Sequence, residues 1–595
     1  MYNMNLDNIT RLPDGAPCTR TDELGHFVMK YSDDGGRTWS KDRYEVPYRK
    51  TSIDTHNSWN GKVKTMWCVD QVKRIDGTST VIYGFTKIGA YVQNAPQELW
   101  FMSSSNLLTE RNASKITWNL YPDGDHGLLP PGVTNGPPVD QKGDILEEAH
   151  IVPLAQGGFY AVGRTQQGFL AAAATNATVA DGLGGWSATG YAAYWDVAAA
   201  DQNPAADLVP IPTATPVRGV GSVGYGLKNP RGPITPKRMA NGMYLLLFYN
   251  NAGDAFGQRD PYWLACGIEN KREGILWSQP EIVLYDRFEH SAEAGGYPDF
   301  IQSETNPLHI YITETQKSIT RIHKIESRIL EALFAQRNVS GVHPNPAATF
   351  GSGSKSTAGH TAAIRAPVFG SIGQWTHAGQ GFTIDFVLDR DGEGTPGQAI
   401  LDARTSTGRG VAVMTGTNHS IVLHLSDGDG VDAGADAPSG PPPRPPTPMR
   451  SVLQTDPLCS AVLAKAGKHH VGIVVDAGPM VATFIVDGLV CDGGHAGSSW
   501  GAGWFWLPPL RSLNGADTMS VGRCNSASAS TRDSACTAYA GRITNGHVYN
   551  SALLNSEVIG NFRATHHPHS SIEAAAAATA AQSVVTGSAN WTIFR

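Results

Sequence analysis

What most constrains this chain is a series of strand-sized apolar segments, each closed by a turn. Through residues 1–335 they recur as Gly25–Tyr31 (GHFVMKY), Ser79–Phe85 (STVIYGF), Gly158–Gly163 (GFYAVG), Met243–Tyr249 (MYLLLFY) and His309–Ile312 (HIYI). Asp-Gly, Asn-Gly or Gly-Gly pairs lie between many of them. That is hairpin chemistry, because only residues that accept a positive φ close the tightest antiparallel turns. A weak repeat runs through the same region: an apolar strand, a turn rich in Asp, Gly or Asn, then Trp. Its sharpest copy is Ser32–Trp39 (SDDGGRTW), and looser copies end at Trp118, Trp186 and Trp277. A repeated strand-turn-strand unit buries its face only against its neighbours, and this predicts the stacked blades of a β-propeller.

Composition agrees. Charged residues make up 17% of the chain, beside 66 Gly, 37 Pro and 14 Trp, a balance that suits an all-β protein rich in turns and not a helical bundle. At 595 residues the chain exceeds what one core usually supports, so more than one domain is expected. A net charge of -7 excludes a general affinity for nucleic acid, which needs a basic surface to displace counterions. No window approaches the roughly 18 apolar residues of a membrane-spanning helix, so no membrane span is expected.

Seven cysteines are too few for a disulfide scaffold, and one is left without a partner in the chain. Cys524 and Cys536 flank a Ser/Asn-rich loop, and both a closed disulfide and two free thiols fit them. No CxxC pair or Cys/His cluster has zinc spacing, and Asp385, Asp389 and Asp391 do not make a calcium loop, so no metal or cofactor is expected. Six Asn-x-Ser/Thr sequons, at Asn8, Asn112, Asn176, Asn338, Asn418 and Asn590, point to a secreted or extracellular protein. The first residues, Met1–Asp7, carry neither a basic nor an apolar leader region, which suggests a truncated start.

Helical spacing is clear once, in Ser318–Gln336, where Ile322, Ile325, Ile329, Leu330 and Leu333 share a face. One helix is expected there, closing a first domain of residues 1–340. Residues 341–364, around the Gly/Ser/Ala-rich Pro344–Ser356, read as a linker. A second β-rich unit spans 365–566, interrupted by a Pro/Gly-rich insertion at 429–448 that has no means of packing a core. The Ala-rich end, 567–595, is either a short helix or a disordered tail.

The Ser32–Trp39 segment resembles the Asp-box of the sialidase superfamily. In such a turn Asp34 accepts backbone N–H bonds, Gly36 takes a positive φ and Trp39 packs between strands. Downstream, Glu147-Glu148-Ala149-His150 precedes Gly157–Arg164, and 164 − 148 = 16 residues is close to the family's spacing between its catalytic Glu and second arginine. Gln258-Arg259-Asp260 resembles the entry to the strand that carries the third arginine, and Gly295-Gly296-Tyr297-Pro298 resembles the segment of the nucleophilic tyrosine. Ile310–Glu314 falls where the family has a strand ending in Glu, with Lys317 just beyond. The resemblance covers roughly residues 5–335 and implies a six-bladed propeller, six being the family's number. Residues 365–566 resemble a concanavalin A/laminin-G-like jelly-roll sandwich, through Phe382–Leu388, Ser420–Leu425, His470–Asp476, Ala482–Leu489 and Ala540–Arg563.

The resemblance implies a glycan substrate and a specific chemistry. Planar guanidiniums bind the carboxylate of an acidic sugar bidentately. A carboxylate nucleophile would be repelled by such a sugar, and sialidases use a tyrosine instead. Tyr297 is thereby the nucleophile, Glu148 its base, and Arg164 and Arg259 the clamp. Asp22, in the loop before the Asp-box and next to Glu23, is the acid/base candidate, with Asp54 and His56 as a second pair. The family's first arginine lies in an F/Y-R-I-P-like segment, for which Arg11-Leu12-Pro13 is the candidate, 32 − 11 = 21 residues before the box. Arg231, held between Pro230 and Gly232-Pro233, is either aimed at the substrate or in a surface ion pair. Glu147 and His150 flank the base and join the substrate-binding set. Two other functions fit the sequence: a propeller rhamnosidase or uronic-acid lyase using His56 or His150, and a noncatalytic carbohydrate-binding protein.

Overall fold

The structure is a computed structural model. It describes residues 2–566 apart from 91–96, 130–145, 156, 166–169, 176–185, 187–189, 195–226, 230–231, 251–258, 271–273, 286–295, 316–319, 352–362, 374–378, 391–394, 429–430, 433–448, 492–503 and 526–535. Arg231, Lys317, Asp391, the Ala-rich end and most of the Pro/Gly-rich insertion therefore lie outside the described residues.

The protein is all-β, with strands in several antiparallel sheets and few helices. Among the described residues, 2–324 form five sheets of three to six strands, and each sheet is built from strands consecutive in the chain. Short turns dictate this order, since a hairpin can only pair neighbours. In the second sheet, strand β1 (Val81–Ile88) is buried along its whole length and pairs with Gln97–Ser104 from Val81↔Ser104 to Ile88↔Gln97. Sheets packed on both sides explain the burial: the Phe27 ring of the first sheet meets Phe85 edge-on at 4.9 Å. The third sheet opens with β2 (Leu146–Pro153) and β3 (Phe159–Thr165). Within the first sheet, between strands His26–Met29 and Tyr44–Glu45, the Ser32–Trp39 turn closes on Asp34. Its carboxylate accepts Thr38 N–H at 2.9 Å and Thr38 Oγ1–H at 2.6 Å, and Ser32 Oγ–H donates to it at 2.8 Å. These hydrogen bonds hold the Asp34 carboxyl down at about 2, and Gly36 sits at φ +85. Trp39 departs from the expected packing. It is 59% exposed, and its Nε1–H donates to Gly36 O at 3.1 Å.

The segment expected as one helix over 318–336 divides in two. Strand β4 (Thr320–Lys324) pairs with Ile310–Thr315, and helix α1 (Ser327–Ala335) follows it. Ile322 fits the helical spacing, yet it is 65% exposed on β4, because the alternating TRIHK pattern serves a strand equally well. Only Ile329, Leu330 and Leu333 form the buried helical face.

The second unit packs a seven-stranded sheet on an eight-stranded one. In the first of these, strand β5 (Gly381–Arg390) lies between β6 (Gly467–Asp476) and β7 (Arg542–Tyr549). Its alternate residues Phe382, Ile384, Phe386 and Leu388 enter one core with Leu401, Val413 and Leu423 of the facing sheet. Ala348–Phe350, within the segment expected as a linker, is a strand of this unit paired to β7. Cys524–Cys536 is a disulfide, and so is Cys459–Cys491, a pairing that sequence spacing did not suggest; Cys18, Cys68 and Cys266 are free thiols. Helix α2 (Asn555–His566) is one of the places where the two units meet. Its Ile559 and Phe562 share a core with Leu330 and Leu333 of α1. The Glu281 carboxylate receives the backbone N–H groups of Asn555 and Ser556 at 2.9 and 2.7 Å, where the helix N-terminus favours an acceptor.

On the other face of β5, the buried Asp385 carboxylate takes His547 Nδ1 at 2.8 Å and lies 3.5 Å from His470 Nε2. Burial alone would raise this carboxyl; the hydrogen bonds with His470 and His547 outweigh it and hold it down at about 2. A depressed folded-state value contributes stability that is present above the ordinary 3.8 and lost as pH falls toward about 2. Asp385→Asn should therefore lower the unfolding free energy at neutral pH by about 1–3 kcal/mol, the scale for a buried charged partner. In thermal or urea unfolding followed across pH, its deficit against the unmodified protein should shrink through the acid range.

Candidate functional site

A β-bulge builds the center of the site. Along β2 and β3 the register passes from Val162↔His150 to Arg164↔Glu147, so Glu148 and Ala149 stand opposite Gly163 alone. Glu148 takes up the extra residue at φ +53, and its N–H is received by Thr86 Oγ1 of β1 at 3.0 Å. A regular strand would send Glu147 and Glu148 to opposite faces. Here both reach Arg164: Nε lies 2.8 Å from Glu147 Oε1, Nη2 turns to the same oxygen, and Nη1 lies 3.0 Å from Glu148 Oε2. All three residues are buried.

Tyr297 meets this cluster from a distant part of the chain. Its Oη–H donates to Glu148 Oε1 at 2.9 Å. The preceding Gly296 carbonyl accepts the Tyr262 hydroxyl at 2.6 Å, and the Tyr262 ring packs 4.7 Å from that of Tyr249. This fixes the backbone that carries Tyr297. Burial, then the facing Glu148, push the Tyr297 hydroxyl well above its ordinary value, while Arg164 and Arg259 draw it back down. Arg259 is 8% exposed, and its Nε would lie 3.3 Å from a Cβ at Gly232, with Tyr249 Cε2 at 2.7 Å. Only a residue without a side chain leaves room there for both.

A third arginine, absent from the sequence reading, sits beside the acid/base candidate Asp22. Arg20 Nε lies 3.0 Å from Asp22 Oδ1 and Nη1 3.3 Å from Glu23 Oε1, and its guanidinium stacks 4.7 Å over the Trp67 ring. Arg11, the residue singled out by its Leu-Pro neighbours, instead turns back on Gly15 O at 2.8 Å on the exposed surface. The signal for Arg20 was its place two residues before Asp22.

The remaining candidates have other partners. Asp22 has an exposed side chain in the short turn Thr21–Glu23. Asp54 is buried, forms a capping box with Thr51 and receives Lys87 Nζ at 2.6 Å. Burial lowers the Lys87 ammonium to about 8 against the pull of Asp54. His56 is exposed, with Nδ1 2.8 Å from Ser52 O. His150 is buried, and its Nδ1 lies 3.1 Å from Asp70 Oδ1. Glu314, buried on its strand, takes His323 Nε2 at 3.2 Å and Arg321 Nη1 at 3.4 Å. The structure thus brings Tyr297, Glu148, Glu147, Arg164 and Arg259 together.

Because Glu148 raises the Tyr297 hydroxyl, Glu148→Gln should let this phenol ionise at lower pH than in the unmodified protein. An ultraviolet phenolate titration of Glu148→Gln against Glu148→Gln/Tyr297→Phe isolates the one tyrosine that should move.

No protein-family model and no curated protein matches the chain. Among solved structures, it is similar to the Trypanosoma rangeli sialidase at 13% identity and a TM-score of 0.26, over 93% of this chain and 91% of that one. The CBM40 module of the Ruminococcus gnavus IT-sialidase, bound to α2,6-sialyllactose, matches at 12% identity and a TM-score of 0.22, over 34% of this chain and 97% of the module. The NanB sialidase of Streptococcus pneumoniae matches at 15% and 0.28, over 50% and 34%. Scores this low carry no weight for function, which has to be read from the site itself.

Proposed function

We propose that this chain is a retaining glycoside hydrolase that releases a terminal acidic sugar, of sialic-acid type, from a glycan, with the five sheets of its first unit as blades of a propeller around Tyr297. One observation carries the reading: the Tyr297 hydroxyl is hydrogen-bonded to the buried Glu148 at 2.9 Å, and Arg164 Nη1 lies 3.0 Å from the same glutamate. A phenol is a weak nucleophile until a neighbouring base takes its proton, and Glu148 is placed to do so. Arginines around a tyrosine suit a substrate that carries its own negative charge.

In the first step Tyr297 Oη bonds to the anomeric carbon while its proton passes to Glu148 Oε1. The bond from that carbon to the aglycone oxygen breaks, and the leaving oxygen takes a proton from Asp22. In the second step water, giving its proton to Asp22, replaces the tyrosine oxygen, which recovers its proton from Glu148. Two displacements at one carbon return the starting configuration. Arg259 holds the sugar's carboxylate in this scheme, Arg20 stays paired with Asp22 and Glu23, and Arg164 steadies Glu148. The contacts of His150 and His56 give no support to a histidine-driven alternative.

Fluorescence release from umbelliferyl glycosides tests the reading, with N-acetylneuraminate set against rhamnoside and glucuronide. Turnover of the neuraminate alone is expected. Tyr297→Phe should reduce it by about a thousandfold or more, the scale of a lost covalent route, with an unchanged circular dichroism spectrum. A Tyr297→Phe protein that keeps full turnover would sink the mechanism.

A further inference from the structure

The bulge in β2 gives Arg164 partners that an arginine waiting for an anionic ligand would not have. Its Nε and Nη2 both address Glu147 Oε1, its Nη1 faces Glu148, and its side chain is 5% exposed. The fork that would grip a carboxylate bidentately is closed by the chain's own carboxylates before any ligand arrives. A sugar carboxylate reaching Arg164 would have to displace Glu147, leaving a buried charge without its partner. Glu147 owes this place to Glu148 at φ +53, since a straight strand would point it to the opposite face.

We infer that Glu147 is a specificity-determining residue: by occupying Arg164 it weakens the pocket's hold on the carboxylate of an acidic sugar, and it reserves Arg164 for orienting Glu148 beneath Tyr297. The inference rests on the acidic-sugar reading above and deepens it. Glu147 acts through Arg164 without touching the reacting atoms, so it is a positioning residue. Its charge governs how tightly an anion binds and leaves the chemical step alone. The pocket trades affinity for a firmly held base.

Glu147→Gln is the informative change. The amide keeps a carbonyl oxygen for Arg164 Nε and Nη2 and nearly the same volume, but it withdraws one negative charge from the cluster. Calorimetry with 2-deoxy-2,3-dehydro-N-acetylneuraminate, an anionic ring analogue, should show binding about five- to tenfold tighter than in the unmodified protein, the scale of one charge-assisted contact. The methyl ester of the same compound, which lacks the charge, should bind both proteins alike. With the umbelliferyl neuraminate, KM should fall by a similar factor while kcat stays within about twofold. Glu147→Ala, which leaves Arg164 loose, should instead lose kcat, and Glu147→Asp should restore part of it. Binding of the anionic analogue that is unchanged or weaker in Glu147→Gln overturns the role of Glu147 alone, as does equal tightening of the ester. If neither protein binds the analogue while both show a folded circular dichroism spectrum, the acidic-sugar reading falls and this inference falls with it.

Discussion

A buried guanidinium between two carboxylates is the interaction on which the site depends. Arg164 is 4% exposed, with Glu147 at 5% and Glu148 at 0%, so three charges have been taken out of water together. Each would cost several kcal/mol alone, and the cluster persists because every member faces an opposite charge at hydrogen-bond range. Such a cluster adds little net stability. What it supplies is definition, for a carboxylate held this way has one orientation, and Tyr297 meets its free edge.

The geometry that makes this possible is a single backbone irregularity. Glu148 takes a left-handed conformation that costs a side-chain-bearing residue about 1–3 kcal/mol. Strand β1 holds it there through Thr86, and β3 holds it through Arg164. Strain at one residue is therefore offset by two neighbouring strands, and the consequence is that two adjacent glutamates work on one side of a sheet.

Much of the first unit was legible from its turns, because hairpin chemistry is local: Asp34, Ser32 and Thr38 close their turn with bonds spanning at most four residues. The meeting of Tyr297 with Glu148 was legible only through the order of motifs along a known family, since 149 residues separate the two. The two faces of Thr320–Lys324 were misread because alternation and helical spacing coincide over five residues. Arg20 escaped notice for a different reason. Its one mark in the sequence was Asp22 two residues on, the residue it pairs with at 3.0 Å. The disulfide Cys459–Cys491 was illegible in the same sense, its partners being 32 residues apart on elements that only the folded sandwich brings together.

The helix Asn555–His566 ties the last described part of the chain to the first unit. Its Ile559 and Phe562 complete a core that begins in the strands around Leu245 and Leu264 and continues through Leu330. Its first turn receives Glu281, and Gln336 donates to Ser556 Oγ at 2.9 Å. A ribosome delivers these parts in order. The sheets of the first unit emerge with this apolar face still uncovered, and it stays open until some two hundred further residues have been made. The nascent chain carries that exposed hydrophobic surface throughout the interval, the condition under which a partly made chain is most prone to aggregate.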